Sequence, residues 1–143
     1  MENNNFKETA LKYIDAKLPV IPVIGKIPAL SAWKEFQDRI PTSEEVSDWF
    51  DDESVTGIAM ICGHGVTVID FDDMGFYNQW RKDIGDLAGG LPEQKSGKGR
   101  HIAFRCDKSF PKCKLAMLLD PTEKSGQRTG IEILGTGGYV LVA

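Results

Sequence analysis

The stretch Val66-Thr67-Val68-Ile69-Asp70-Phe71-Asp72-Asp73 reads as a β-strand that is apolar on both faces and turns acidic at its end. Side chains alternate along a strand, so Val66, Val68, Asp70 and Asp72 share one face, and Thr67, Ile69 and Phe71 share the other. A strand apolar on both faces belongs in the middle of a covered sheet. Two carboxylates on such a strand stand roughly 6.5–7 Å apart at their Cα atoms. In a partly dry place unpaired charge is expensive, which calls for a cation between them. Asp70 and Asp72 are placed to converge on one divalent ion and help hold a second, as in two-metal phosphoryl-transfer sites. The plainer reading is a strand end followed by a solvated acidic turn, and D-x-D alone does not separate the two.

Composition sets the frame. A chain of 143 residues suits one domain with a real core, and 41% hydrophobic with 27% charged content is ordinary for a soluble globular protein. No apolar run approaches membrane-spanning length, and Met1-Glu2-Asn3-Asn4-Asn5 lacks the parts of a signal peptide, so the cytoplasm is the expected compartment. Cys62, Cys106 and Cys113 are an odd set without CxxC spacing, which argues against a disulfide framework. With His64 they allow a zinc site, although their spacing fits no familiar knuckle.

A net charge of −4 argues against coating nucleic acid by charge alone. The charge is unevenly spread. Residues 41–53 hold Glu44, Glu45, Asp48, Asp51, Asp52 and Glu53 without a Lys or Arg, whereas residues 95–114 hold Lys95, Lys98, Arg100, Arg105, Lys108, Lys112 and Lys114 against Asp107. Such a basic segment either faces phosphates or is a solvated face.

In order, Phe6, Ala10, Tyr13, Ile14 and Lys17 fall at helical spacing, predicting a helix over 6–17. Leu18 to Ile24, with two prolines, reads as an edge strand or extended segment. Thr42-Ser43-Glu44-Glu45 has the form of a capping box opening a helix to about residue 50. Residues 57–62 read as a strand, and Gly63-His64-Gly65 as a tight turn pairing it in a hairpin with the Val66–Asp72 strand. A helix follows over 73–84, on Phe76, Trp80 and Ile84. Residues 93–105 read as a strand end, a glycine turn and a second strand, with Ile102 and Phe104 inward and His101, Ala103 and Arg105 on the opposite face. Residues 107–126 read as polar and irregular, with a helical turn near 115–119. The last strands are 130–134, with Glu132 opposite Ile131 and Ile133, and 139–142. If the strands carrying Asp70 and Asp72, His101 and Arg105, and Glu132 adjoin, three carboxylates and a histidine converge beside a turn rich in Ser96, Lys98 and Arg100. Backbone N–H groups of such a turn cradle phosphate oxygens. Neither a P-loop nor a G-x-G-x-x-G after a strand is present.

The order Val-Ile-Asp-Phe-Asp (68–72), Ser-Gly-Lys-Gly-Arg-His-Ile-Ala-Phe (96–104) and Gly-Ile-Glu-Ile-Leu-Gly-Thr-Gly-Gly-Tyr-Val (130–140) resembles the primase–polymerase (Prim-Pol) family of archaeo-eukaryotic primases. The N-terminal segments Leu18–Val23, Gly25-Lys26-Ile27-Pro28 and Trp33-Lys34 resemble it too, so the likeness covers roughly residues 8–143. It implies an α+β fold in which an RRM-like sheet joins a small N-terminal αβ unit, the whole chain 1–143 forming a single catalytic domain. It implies a DNA-templated nucleotidyltransferase of a plasmid, phage or integrated element, making or extending primers on single-stranded DNA from nucleoside triphosphates. Asp70 and Asp72 match the family's metal-binding pair, Glu132 its third carboxylate, and His101 and Ser96 its nucleotide motif, with two Mg2+ or Mn2+ ions as cofactors. Lys98, Arg100 and Arg105 join the nucleotide site by charge and position. Glu132 stands where Asp is usual. The family also usually continues beyond the final strand, commonly into a helicase module, so a fragment truncated at its C-terminus is expected. Rival readings of the same residues are a metal-dependent nuclease, a nucleic-acid-binding module without turnover, and buried acids paired with Lys or Arg.

Overall fold

The computed structural model describes residues 2–63 and 65–142. Helix α1 (Glu2–Asp15) leads into β1 (Val20–Ile24) and the two-residue β2 (Ile27–Pro28), then a 3-10 turn (Lys34–Gln37) and α2 (Ser43–Trp49). Strands β3 (Gly57–Ile61) and β4 (Gly65–Phe71) precede α3 (Met74–Ile84) and a second 3-10 turn (Gly85–Gly90). The chain then runs through β5 (Glu93–Lys95), β6 (Arg100–Cys106), β7 (Cys113–Leu119), β8 (Gln127–Leu134) and β9 (Tyr139–Leu141). Two antiparallel sheets result, ordered β2-β1-β3-β9 and β5-β6-β4-β8-β7, which makes the fold α+β.

Local chemistry explains the helix starts. The Thr42 hydroxyl accepts from the Glu45 N–H and the Glu45 carboxylate accepts from the Thr42 N–H, a complete capping box. Asp73 caps α3 by accepting from the Phe76 N–H at 3.1 Å.

Alternation assigns each strand face to a layer. Ile58 and Met60 of β3 meet Val66 and Val68 of β4, Leu134 of β8, Ala10 and Ile14 of α1, and Val46 of α2 with Phe50 just past its end, in one core between the sheets. The other face of β3 packs Ala59 and Ile61 on Phe36. The other face of the second sheet buries Phe71 and Ile102 under Tyr77 of α3.

Three local expectations are corrected. β3 and β4 do not form a hairpin: they belong to different sheets, and β3 pairs instead with β1 and β9. A strand buried on both faces needs a neighbour at each edge, and the distant β9 supplies the second. β1 is flanked on both sides rather than lying at an edge. Its Pro22 is tolerated because β2 pairs only with Val23 and Ile24, and the segment beyond touches Pro22 through a single Ala29 N–H to Pro22 O bond. Residues 113–119 form strand β7 rather than a helical turn. The four-residue Leu115–Leu119 spacing looked helical, but pairing with β8 places Leu118 inward against Gly130 and leaves Leu115 and Leu119 exposed.

Candidate active site

The register joins the three polar strands at one point. Asp70 on β4 stands opposite His101 on β6 and opposite Glu132 on β8. Directly opposed residues share a face with Cβ atoms about 4.5–5.5 Å apart, so all three project to the same side. That side is the one where Val66 and Val68, earlier on β4, pack between the sheets. Past Val68 the layers part into a cleft of about 800 Å3. Asp70, Asp72, Ser96, Lys98 and His101 line it from the second sheet, with Lys95 and Lys112 beside them. Lys26 and Tyr139 line it from the first sheet, where the Tyr139 hydroxyl donates to Lys26 O at 3.0 Å.

The cleft is poor in internal pairing. His101 Nε2 lies 3.3 Å from Asp70 Oδ1, yet that oxygen, His101 Nδ1 and Ser96 Oγ are all buried without a hydrogen-bond partner. Orphaned buried polar atoms are costly and call for a ligand, ion or water. Glu132 is engaged by Lys112, Nζ to Oε1 at 3.7 Å.

The glycine turn sits on the end of β4. Ser96 N–H donates to Gly99 O at 3.1 Å, and a Cβ on Gly99 would fall 1.6 Å from the Phe71 carbonyl oxygen. Only glycine permits that approach. Behind the turn, the Tyr77 hydroxyl donates to Glu93 at 2.6 Å, and Arg81 and Arg100 pair with the same carboxylate. The Glu93 bond, then burial, raises the Tyr77 phenol above its ordinary range.

Two residues assigned to the nucleotide site are not brought into the cleft. Arg100 adjoins His101 in the strand and so points to the opposite face, where it pairs with Glu93 at 3.2 Å and lies over the Tyr77 ring. Arg105 shares the face of His101 but sits opposite Val66, four residues away, and donates to Ala16 O at 2.7 Å. Reading alone missed Lys26, Lys95, Lys112 and Tyr139 as lining residues. The first and last come from the other sheet; Lys95 and Lys112 lay within the basic run already noted. Of the residues named for a zinc site, Cys62 is buried, its thiol pushed up to about 12 by that burial, Cys106 is half-buried, Cys113 is exposed, and His64 lies outside the described residues.

Among the described residues no group of three or more His, Cys, Asp or Glu side chains is drawn together to hold an ion. Asp70 and Asp72 nevertheless offer hard oxygen donors on one wall, one of them unpartnered. Mg2+ is commonly held by one or two carboxylates, with substrate phosphates and waters completing its shell, and that donor set fits here.

Carboxylates on one wall, with lysines and a glycine turn around them, make a site suited to a polyphosphate with its metal. Residues 10–143 match the family model Prim-Pol, described as bifunctional DNA primase/polymerase, N-terminal, and the chain belongs to this family. Its function is accordingly of the primase/polymerase type, with DNA and nucleotides as substrates. No curated protein matches the chain. Among the described residues no helix is long and apolar enough to cross a membrane.

Proposed function

We propose that this domain is a DNA-templated nucleotidyltransferase that makes or extends primers from nucleoside triphosphates. The observation that carries the proposal is the cluster of buried polar atoms without a hydrogen-bond partner, Asp70 Oδ1, Ser96 Oγ and His101 Nδ1, in a cleft to which Lys26, Lys95, Lys98 and Lys112 also contribute. Lys98, Lys95 and Lys112 neutralise the triphosphate, and the Ser96 hydroxyl donates to one of its oxygens. His101 donates a hydrogen bond to the same phosphates as charge grows there. Asp70 and Asp72, with Glu132 as third carboxylate, are the residues that would hold two Mg2+ or Mn2+ ions. When bound, such ions lower the pKa of an attacking 3′-hydroxyl and stabilise the leaving oxygens. Single-stranded template DNA lies along the basic segment 95–114. Within this reading the β5-β6-β4-β8 order, with α3 on one face, is an RRM-like sheet in which the edge strand β7 takes the place, in chain order, of a second helix. The proposal extends to a cytoplasmic replication protein of a plasmid, phage or integrated element, working beside a helicase module.

A second reading, a nucleic-acid-binding module without turnover, is favoured by the compensated acids: Glu132 beside Lys112 and Asp70 beside His101. Primer extension on a labelled template with Mn2+ or Mg2+ separates them. The expected result is triphosphate-dependent incorporation that Asp70→Ala or Asp72→Ala reduces to background, with thermal stability in EDTA held or raised by relief of like-charge repulsion. His101→Ala is expected to weaken nucleotide binding far more than template binding. Template binding without incorporation establishes the second reading. Strand cleavage without triphosphates establishes a nuclease, and wild-type extension by either Asp variant overturns the site assignment.

A further inference from the structure

We propose that Arg128 is a positioning residue of the acidic site that acts through Asp72; the inference rests on the reading of Asp72 as a metal-holding carboxylate. Asp72 lies one residue past the end of β4, beyond the ladder that fixes Asp70. β8 nevertheless holds its backbone on both sides. The Asp72 N–H donates to Gly130 O at 2.9 Å, and the Asp72 carbonyl accepts from Arg128 Nη1 at 3.1 Å.

The rest of the guanidinium is engaged as well. Nη2 lies 3.3 Å from Asp73 Oδ2, while the other oxygen of Asp73 caps α3. Nε lies 3.6 Å from Asp120 Oδ2 in the β7–β8 turn. Asp120 is itself fixed by the Thr122 N–H and hydroxyl, which hold its carboxyl below the usual range, with Arg128 and Lys98 adding to the effect.

One planar fork thus ties together the end of β4, the first turn of α3 and the β7–β8 turn. It also divides two consecutive acids by role: Asp73 is turned to the helix and the guanidinium, and Asp72 to the cleft. A carboxylate aims where its backbone points it. Without the fork, the end of β4 is no longer tied to α3 and the β7–β8 turn on its carbonyl side, and the Asp72 Cα can shift and take its side chain off the line of Asp70. Lysine keeps the charge but offers no rigid set of donors to acceptors lying in three directions.

Mn2+ affinity of the intact chain, read by water-proton relaxation without nucleotide, tests the role apart from activity. Arg128→Met is expected to weaken Mn2+ binding by about 10–100-fold, as loss of a group orienting a metal ligand does. Arg128→Lys is expected to fall between it and the wild type, and remains the test if the Met variant does not fold by circular dichroism. The discriminating measurement is a double-mutant cycle. In an Asp72→Ala background, Arg128→Met or Arg128→Lys is expected to cause no further loss, because the group it acts through is gone. Wild-type Mn2+ affinity in a folded Arg128 variant, or losses that simply multiply in the double variant, overturns the inference and leaves the metal reading standing. Unchanged affinity in Asp72→Ala alone overturns both.

Discussion

Val66 and Val68 lie on the same face of β4 as Asp70 and Asp72, yet the valines are 3% and 1% exposed while the aspartates line a cleft. At the valine end the facing layer presents Ile58, Met60 and Val140, with α1, α2 and the residue just past α2 adding Ala10, Ile14, Val46 and Phe50. At the aspartate end the walls are Lys26, Tyr139, the 95–98 turn and Lys112. One strand therefore crosses from a dry layer into a polar one within a few residues. The difference teaches where the site's precision comes from. The valine end is buried and apolar and fixes the register, and the register aims Asp70 at His101 and Glu132. The aspartate end is left with polar atoms lacking partners, a cost that the packed end offsets.

Moving the acidic character one step inward along β4 has the largest expected effect. Val68→Asp places an uncompensated charge in the closed end and is expected to cost about 3–5 kcal/mol in urea unfolding. A cost under about 1 kcal/mol would show that water already reaches that end. The next largest effect concerns the turn over the cleft. Gly99→Ala forces a Cβ against the Phe71 carbonyl and is expected to cost about 1–3 kcal/mol and to weaken nucleotide binding. Gly97→Ala, with nothing within 4 Å of the added atom, is the matched control for stability and should leave it unchanged.

The smallest effect belongs to the cover of the closed end. Thr42→Ala removes the cap of α2 and is expected to cost about 1 kcal/mol without touching nucleotide affinity. The same cap has a pH signature. Arg39, foremost, and the Thr42 N–H hold the Glu45 carboxyl at about 2, below its ordinary 4.5. A depressed carboxyl stabilises the folded state fully above the unfolded value, so this contribution is complete above about pH 4.5 and is lost as pH falls through 2. In Glu45→Gln the fall in melting temperature over that window should be shallower.

The legible parts of the chain were those whose signal is local. The capping box at Thr42–Glu45, the helix over Phe76, Trp80 and Ile84, and the strand–turn–strand around Ser96–Gly99 follow from spacing and turn chemistry within a few residues. Arg100 reads with the glycine turn by charge, whereas alternation along β6 turns it away from His101 toward Glu93. β7 was misread because leucines four apart suit a helix until a neighbouring strand claims the backbone. The β3–β4 hairpin failed for a related reason. A glycine turn permits a hairpin, but burial of both faces and both edges of β3 demands β9, and that demand is not written near the turn.

By itself the sequence determined which side chains share a face, where helices begin, and that acids, a histidine and a basic glycine turn belong to strands able to meet. Only the tertiary structure decided that Glu132 and His101 flank Asp70 on opposite sides, that Lys26 and Tyr139 close the cleft from another sheet, and that Arg128 grips the backbone of Asp72. Face and cap are set by backbone periodicity over a turn or two, which any stretch of sequence carries. Strand partners and cleft walls are set by how the whole chain buries its apolar area, a condition no single stretch can satisfy alone.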